Sequence, residues 1–436
     1  MALIWFFLLS GLFLGWSTGA NDASNIFGTA VASRMVSFRR AALIASIFVI
    51  LGAVFSGAGT TSTLGALGAV DALAGAFTVG LAAAASVAFM TRLQLPVSTS
   101  QAVVGAIIGW NLFTGRSTDF AVLGKIVSTW VFSPVLAAVT AFFLSLVTRR
   151  VLQHRPVHLL RLDAWSRLGL IVVGAFGAYS LGANNIANVM GVFVPASPFK
   201  PLEFGDLVRV TSTQQLFLLG GLAIAVGIYT YSRRVMSTVG RGIFRLTPIN
   251  ALIAVFSMSL VLFVFASQSL ERGLTMMGLP TFPLVPVSST QAIVGAVIGV
   301  ALANGGRNIN YRVLGRIASG WITTPILAGI VSFVMLFFVQ NVFEQPVVSD
   351  GAPTVQVEAP ASPTAAASPR GSSGQGPLPP ARRPSSRPRR PRTARAGPGR
   401  PAGHPVARVR RDRPGGLPPG LRPPGAGRPG GSTPPS

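Results

Sequence analysis

Polar side chains interrupt two of the long apolar runs of this sequence, where the neighbouring residues are of the kind that contacts lipid. An ionisable group in such a place is costly unless it faces a cavity or a partner, which makes Asp22 a functional candidate by default. The asparagines around it could have a purely structural role, in which they form hydrogen bonds to a neighbouring helix. The duplication of the cluster favours a functional site. The two clusters are Asn21, Asp22, Ser24 and Asn25 in GANDASN, and Asn184, Asn185 and Asn188 in GANNIAN.

Two polar hexads, PVSTSQ and PVSSTQ, each precede an apolar helix. In the first, we expect the proline to break the chain, Ser98 to act as N-cap and Gln101 to complete a capping box. Ser288 and Gln291 repeat this pattern. A helix that starts inside a membrane presents free N–H groups and about half a positive charge, so two such ends with their hydroxyl groups predict an oxyanion site. The hydroxyl groups belong to Ser98, Thr99, Ser100, Ser288, Ser289 and Thr290.

The apolar runs that must position these groups are long enough to cross a membrane. Hydrophobic residues make up 50% of the chain and charged residues only 11%, and a helix of about 20 apolar residues spans a bilayer. The sequence therefore predicts an all-α, multi-pass membrane protein of the cell's inner membrane. The first run has no basic start and no cleavage site, which predicts a retained span. With no cysteine in the chain, thiolate metal sites and cysteine nucleophiles are excluded.

The two halves of the chain are related by an internal duplication. GKIVSTWVFSPVLA at Gly124 returns as GRIASGWITTPILA at Gly315, and the polar motifs recur in the same order. About five crossings per half, an odd number, predict two inverted repeats with broken or re-entrant helices at the midplane. The basic loops then lie in the cytoplasm and both termini outside. The predicted crossings are near 1–33, 41–60, 72–90, 96–114 and 121–148, then 168–196, 213–231, 249–267, 286–304 and 317–341.

Composition divides the chain into four parts. Residues 1–148 and 168–345 are the two predicted repeats, 149–167 is a basic cytoplasmic linker, and 346–436 is a tail rich in Pro, Arg and Gly. The net charge of +25 owes much to this tail, whose few apolar residues cannot offset its ordering entropy, so we expect it to be disordered. It could contact anionic lipid or RNA, or be the product of a shifted reading frame. We predict no nucleic-acid partner.

The motifs resemble those of the inorganic phosphate transporter family of secondary carriers. The resemblance covers residues 1–341 and rests on GAND followed by Asn25 and FGTAV, on GANNIAN, and on the paired hexads, in matched order. It implies an inverted-repeat helical fold that carries inorganic phosphate together with Na⁺ or H⁺, with no resident cofactor and with Asp22 as a candidate Na⁺ ligand. The implied substrate-binding residues are Asn21, Ser98, Thr99, Ser100, Gln101, Asn184, Ser288, Ser289, Thr290 and Gln291, and the implied cation-coupling residues are Asp22, Asn25, Asn185 and Asn188.

Two departures from the family pattern concern the coupling ion. The family commonly has a second aspartate where this chain has Asn185, and many members carry a glutamate in the helix after the first motif, where SIFVILGAVFSG is uncharged. Fewer carboxylates leave fewer positions for cations, so the stoichiometry and the choice between phosphate and sulfate stay open. A carboxylate that accepts the proton carried only by phosphate would separate the two anions, and Asp22 is the obvious one.

Other functions stay as alternatives. The nearest is a sulfate or other oxyanion permease of the same fold, and another is the membrane subunit of an ATP-driven importer, although the chain has no P-loop. An enzyme is not expected, because GWSTG has the spacing of a nucleophile elbow but no strand before it, and His154, His158 and His404 lie in the linker and tail. We therefore predict a symporter that imports phosphate by alternating access in the bilayer, with a homo-oligomer left open.

Overall fold

Helices account for nearly all of the regular structure in the computed structural model. Thirteen α-helices follow one another in the described part of the chain, with a 3₁₀ turn at Gly191–Phe193 and a short antiparallel hairpin that pairs β1 (Leu202–Phe204) with β2 (Val208–Val210). The prediction of an all-α membrane fold is confirmed, with the hairpin as a small addition. The structure describes residues 2–68, 70–93, 97–154, 158–204, 208–239, 246–306 and 309–349.

The helices differ widely in length, and eight of them are long and apolar enough to cross a membrane. Those eight are the first, second, fourth, sixth, seventh, eighth, tenth and thirteenth along the chain. The helices are α1 (Ala2–Ala32), α2 (Phe38–Ser56), α3 (Ala58–Leu67), α4 (Leu73–Arg92), α5 (Thr99–Thr114), α6 (Phe120–His154), α7 (Leu159–Met190), α8 (Ser212–Thr230), α9 (Ser232–Val239), α10 (Pro248–Ala266), α11 (Gln268–Met276), α12 (Ser289–Ala303) and α13 (Tyr311–Asn341).

Two of the predicted crossings, 96–114 and 286–304, are short helices. α5 has 16 residues and α12 has 15, so at about 1.5 Å per residue neither is as long as the roughly 30 Å hydrocarbon layer. Each begins at the buried serine of its hexad. Broken helices at the hexads are therefore confirmed, while the inverted orientation of the two halves and their division at 148 and 168 stay predictions.

The structure shortens one predicted crossing and shows helix within the predicted linker. The predicted crossing 41–60 ends early, because α2 stops at Ser56 and α3 begins after Gly57. The predicted linker 149–167 is mostly helical, since α6 continues to His154 and α7 begins at Leu159. Both of these linker segments lack glycine and proline, so nothing in them stops a helix. The tail beyond residue 349 lies outside the described residues.

Glycines bring the motif-bearing helices close to helices of the other half. A Cβ atom on Gly19 of α1 would overlap the carbonyl oxygen of Ile224 in α8, and one on Gly182 of α7 would overlap the carbonyl oxygen of Val49 in α2. Such contacts allow backbones to approach in the way that small residues permit between membrane helices. Each glycine begins one of the two polar motifs, so close packing holds each motif where the halves meet.

The short helices are held in the same manner. A Cβ atom on Gly105 of α5 would overlap the carbonyl oxygen of Pro325 in α13, and one on Gly295 of α12 would overlap that of Pro134 in α6. Both prolines lie inside long helices. Each short helix therefore rests against a long helix from the opposite half, which fixes the position of its first turn.

Candidate functional site

The two polar clusters and the two hexads come together inside the protein. The GAND cluster lies in the middle of α1, the GANN cluster lies in the last turns of α7, and the hexad residues form the first turns of α5 and α12. All of the predicted site residues are buried, and hydrogen bonds link the four segments. The buried set comprises Asn21, Asp22, Asn25, Ser98, Thr99, Ser100, Gln101, Asn184, Asn185, Asn188, Ser288, Ser289, Thr290 and Gln291.

Asp22 accepts hydrogen bonds from both halves of the chain. Its Oδ1 accepts from Asn21 Nδ2 at 2.8 Å, and its Oδ2 accepts from Asn185 Nδ2 at 2.7 Å and from Ser289 Oγ at 2.9 Å. A buried charge is tolerated only when it is well paired, and three donors offset part of the cost of removing this carboxylate from water. The carboxylate also joins α1 to α7 and α12, so a movement of one half relative to the other would change its hydrogen bonds.

Both short helices have the serine N-cap that the sequence predicts. Ser98 Oγ accepts from Gln101 N at 3.3 Å, and Ser288 Oγ accepts from Gln291 N at 3.2 Å. The full capping box is wrong, because the side-chain oxygens of Gln101 and Gln291 have no hydrogen-bond partner. The cap leaves the other N–H groups of each first turn without a partner inside the helix. Two partly positive helix ends therefore face the buried site.

The carbonyl oxygens that precede the serine caps tie the site together, although the sequence analysis did not identify them. Val97 O accepts from Asn21 Nδ2 at 3.2 Å and from Thr290 Oγ1 at 3.0 Å, so one acceptor binds a residue of each half. A break in the chain before a helix leaves such carbonyls free, which is the signal that could have found them. The counterpart bonds join Val287 O to Asn184 Nδ2 at 2.8 Å and to Ser100 Oγ at 3.2 Å.

The remaining amides contact hexad hydroxyl groups of the opposite half. Asn188 Nδ2 donates to Ser100 Oγ at 2.8 Å, and Asn25 Nδ2 lies 3.5 Å from the hydroxyl oxygens of Ser289 and Thr290. Some oxygen atoms of the site have no partner, and a buried polar atom of this kind calls for a ligand or an ordered water. These are Thr99 Oγ1, Gln101 Oε1, Asn188 Oδ1 and Gln291 Oε1.

Fold and site together define a class of protein. It is a multi-pass helical membrane protein whose buried polar centre contains two helix N-termini and one carboxylate, contributed by both halves. The family follows from sequence comparison, because a profile of the phosphate transporter family matches residues 18–166, 160–332 and 273–367. The chain belongs to this family. Membership confirms the resemblance carried by the motifs and places the protein among transporters rather than enzymes.

Individual relatives cover most of the chain. A candidate phosphate permease of Methanocaldococcus jannaschii is 29% identical over 328 residues, which are 75% of this chain and 95% of that protein. A candidate phosphate permease of Haemophilus influenzae is 28% identical over 427 aligned positions, covering 78% of this chain and 97% of that protein. A solved structure of a sodium-dependent phosphate transporter is 23% identical, covers 77% of this chain and 100% of its own, and superposes with a TM-score of 0.60. At this identity the likeness shows the fold.

Proposed function

We propose that the protein imports inorganic phosphate across the inner membrane by symport with a cation, through alternating access of its two halves. The observation that carries the proposal is the buried carboxylate of Asp22, which is bound by donors from both halves beside two helix N-termini. Membership of the phosphate transporter family supports phosphate as the substrate. The names of the relatives support it as well.

Phosphate would bind between the first turns of α5 and α12. Free N–H groups and the positive end of the helix dipole attract an oxyanion at each of these turns. Hydroxyl and amide groups around them would donate further hydrogen bonds to phosphate oxygens. The proposed substrate-binding residues are those of the sequence prediction: Asn21, Ser98, Thr99, Ser100, Gln101, Asn184, Ser288, Ser289, Thr290 and Gln291.

A cation must accompany the anion for energetic reasons. Moving a dianion inward against an inside-negative potential of about 100 mV costs about 4.6 kcal/mol, twice the roughly 2.3 kcal/mol for one charge. Asp22 would carry one cation by ion pairing or protonation. Unpartnered oxygens of Thr99, Gln101, Gln291 and Asn188 would supply further ligands. The sodium dependence named for the solved relative supports Na⁺ over H⁺.

Alternating access would act through the bonds that join the halves at the site. Ser289 binds Asp22 and Thr290 binds Val97, so residues of α12 close the site against the first half. Ser100 binds Val287 in the counterpart contact. Rocking of the halves would break one set of contacts at a time and expose the site to one side, in the manner of inverted-repeat carriers.

The test is uptake of radiolabelled phosphate into proteoliposomes of the full chain, with an imposed Na⁺ or H⁺ gradient and excess sulfate as competitor. We expect gradient-driven uptake that sulfate leaves intact. Asp22→Asn should abolish concentrative uptake, because a neutral amide neither balances the charge of a cation nor accepts a proton. Asp163→Asn, which removes an exposed carboxylate paired with Arg167 at 2.8 Å, should retain it. Full concentrative uptake by Asp22→Asn would refute the role of Asp22. If excess sulfate abolished phosphate uptake, the assignment of phosphate as the transported anion would be wrong.

A further inference from the structure

A cavity lies near the buried site, between α1 and α4. Its volume is about 390 Å³, which lies within the roughly 300–1,000 Å³ of typical ligand pockets. Ser17 and Ala20 of α1 line it, and Asn21 of the buried site is the next residue along the helix. Ser17 and Asn21 are four residues apart and therefore lie on the same face of α1. The cavity thus adjoins the phosphate site along one helix face.

Two hydroxyl groups in the lining of this cavity have no hydrogen-bond partner. Ser17 is 3% exposed and its Oγ has no hydrogen-bond partner. Thr91 Oγ1 is likewise buried and without a partner. Buried hydroxyl groups are normally bonded, and those that are not point to a missing ligand or water. Nearby hydroxyl groups of the same helices bond their own backbone, as Thr18 Oγ1 does to Leu14 O at 2.8 Å. Ser17 therefore has an unpartnered hydroxyl group in the wall of the cavity.

Arg92, the last residue of α4, is exposed and contributes a positive charge to the wall of the cavity. Its guanidinium has no acidic partner among the residues that the structure describes, where the ion pairs involve other arginines. Much of the remaining wall is apolar, with Phe13, Trp16 and Phe89 among the lining residues. Apolar walls strengthen the attraction between a cation and an anion by lowering the local dielectric constant. The sequence alone does not single out Arg92, because a lone arginine at a helix end is a common membrane anchor.

We propose that this cavity is a second site for inorganic phosphate, in which Arg92 and the Ser17 hydroxyl bind the anion between the water and the buried site. The proposal rests on the proposed function and adds a position on the substrate's path. Guanidinium groups bind phosphate through charge-assisted hydrogen bonds. A lipid headgroup offers the same phosphate chemistry, but the cavity adjoins Asn21 along α1, which favours the transported anion.

The test is equilibrium binding of radiolabelled phosphate to the full chain in nanodiscs of phosphatidylcholine, at low and at raised ionic strength. We expect wild type to bind two phosphate ions, one of them weakly and with strong salt dependence. Arg92→Gln should remove the salt-dependent class, and Ser17→Ala should weaken it. Arg92→Lys, which keeps the charge but loses the fork of donors, should retain part of it. Ser289→Ala should weaken the other class, because that residue belongs to the buried site.

Arg149→Gln is the matched control, because it removes the same charge near the end of α6 at an exposed position away from the cavity. In transport, Arg92→Gln should raise the half-saturating phosphate concentration about ten-fold without lowering the maximal rate, and Arg149→Gln should change neither. Equal behaviour of the two variants would overturn the second site and leave the proposed function intact.

Lipid composition separates the two sources of the phosphate group. If phosphatidylglycerol in the nanodiscs displaces all Arg92-dependent phosphate at constant ionic strength, the cavity is a lipid headgroup site and the proposal is wrong. Retained binding in both lipids supports inorganic phosphate. A wild-type chain that binds no phosphate in either lipid would overturn the proposed function together with the second site. If wild type binds phosphate and Arg92→Gln leaves that binding unchanged, only the second site is overturned.

Discussion

At Asn185, the choice between an amide and an acid sets how much charge the buried site holds. Asn185 Nδ2 donates to Asp22 Oδ2 at 2.7 Å, so an aspartate at this position would place two carboxylates in contact. Two carboxyl groups in contact are stable when they share one proton, which leaves a single negative charge, or when both bind a cation. With the amide, Asp22 has a donor in place of a like charge. This single position therefore bears directly on how many cations the carrier needs.

Asn185→Asp should make uptake depend more steeply on the coupling cation, because the added carboxylate needs a counter-charge of its own. The measurement is the initial rate of phosphate uptake against cation concentration, together with the charge moved per phosphate. Asn341→Asp makes the same change at an exposed helix end, where the amide bonds only Phe337 O, and should leave the slope unchanged. An unaltered slope in Asn185→Asp would show that Asn185 does not limit coupling.

At the scale of elements, the site depends on how closely α5 and α12 approach their long partners. A short helix has few contacts of its own, so its first turn is placed by the packing of the turns that follow. Gly105 and Gly295 each lie one turn beyond the hexad and against a backbone carbonyl of a long helix. A larger side chain at either position would push the helix start, and its N–H groups, out of the site.

Gly105→Ala should lower stability by about 1–3 kcal/mol, because its new Cβ overlaps the carbonyl oxygen of Pro325 and the helices must separate. Thermal unfolding of the purified protein in detergent would measure this loss. The control is Gly124→Ala in α6, where no atom lies within 4 Å of the new Cβ and a gain of up to about 1 kcal/mol in helix propensity is expected. Equal melting temperatures of the two variants would contradict close packing at Gly105.

At the scale of the whole molecule, the segment that follows α13 returns to the first half. Val347 is buried, and its carbonyl oxygen accepts from the indole of Trp110 at 3.1 Å. Ser349 N donates to Asp71 Oδ1 at 3.2 Å, and Asp71 Oδ2 pairs with Arg116 at 2.8 Å. Partial burial raises the pKa of Asp71, but the hydrogen bonds from Arg116 and Ser349 and the Arg116 charge outweigh it, so the pKa lies below its ordinary value.

Cutting the chain after Glu344 should lower the melting temperature by a few degrees, whereas cutting after Ser349 should not, because only the first cut removes the bonds to Trp110 and Asp71. The contribution of Asp71 to the stability of the folded protein is complete above the ordinary carboxyl pKa of 3.8. This contribution is lost as the pH falls through the lower pKa of the native state. Acidification should therefore narrow the difference between the two truncated chains in thermal unfolding. Equal melting temperatures at neutral pH would show that the returning segment does not stabilise the protein.

The sequence by itself determined the properties that depend on neighbouring residues. Apolar runs indicated membrane helices, and serine after proline indicated where the short helices begin, because hydropathy and capping act over a few positions. The serine caps are confirmed at Ser98 and Ser288. Duplicated motifs also indicated which polar residues belong together and to which family they are similar. Local patterns were less reliable at boundaries, where α2 ends early and the predicted linker is mostly helical.

Only the tertiary structure decided which of these groups meet. Asp22 and Ser289 are 267 residues apart in the sequence, yet they share a hydrogen bond. Glycine contacts pack α1 against α8 and α12 against α6, and the assembled helices bring the two residues together. The cavity at Arg92 and Ser17 and the return of Val347 to Trp110 likewise join residues that no short pattern connects. Such contacts follow from the packing of whole helices, since a side chain's partner across the fold depends on every helix that positions it.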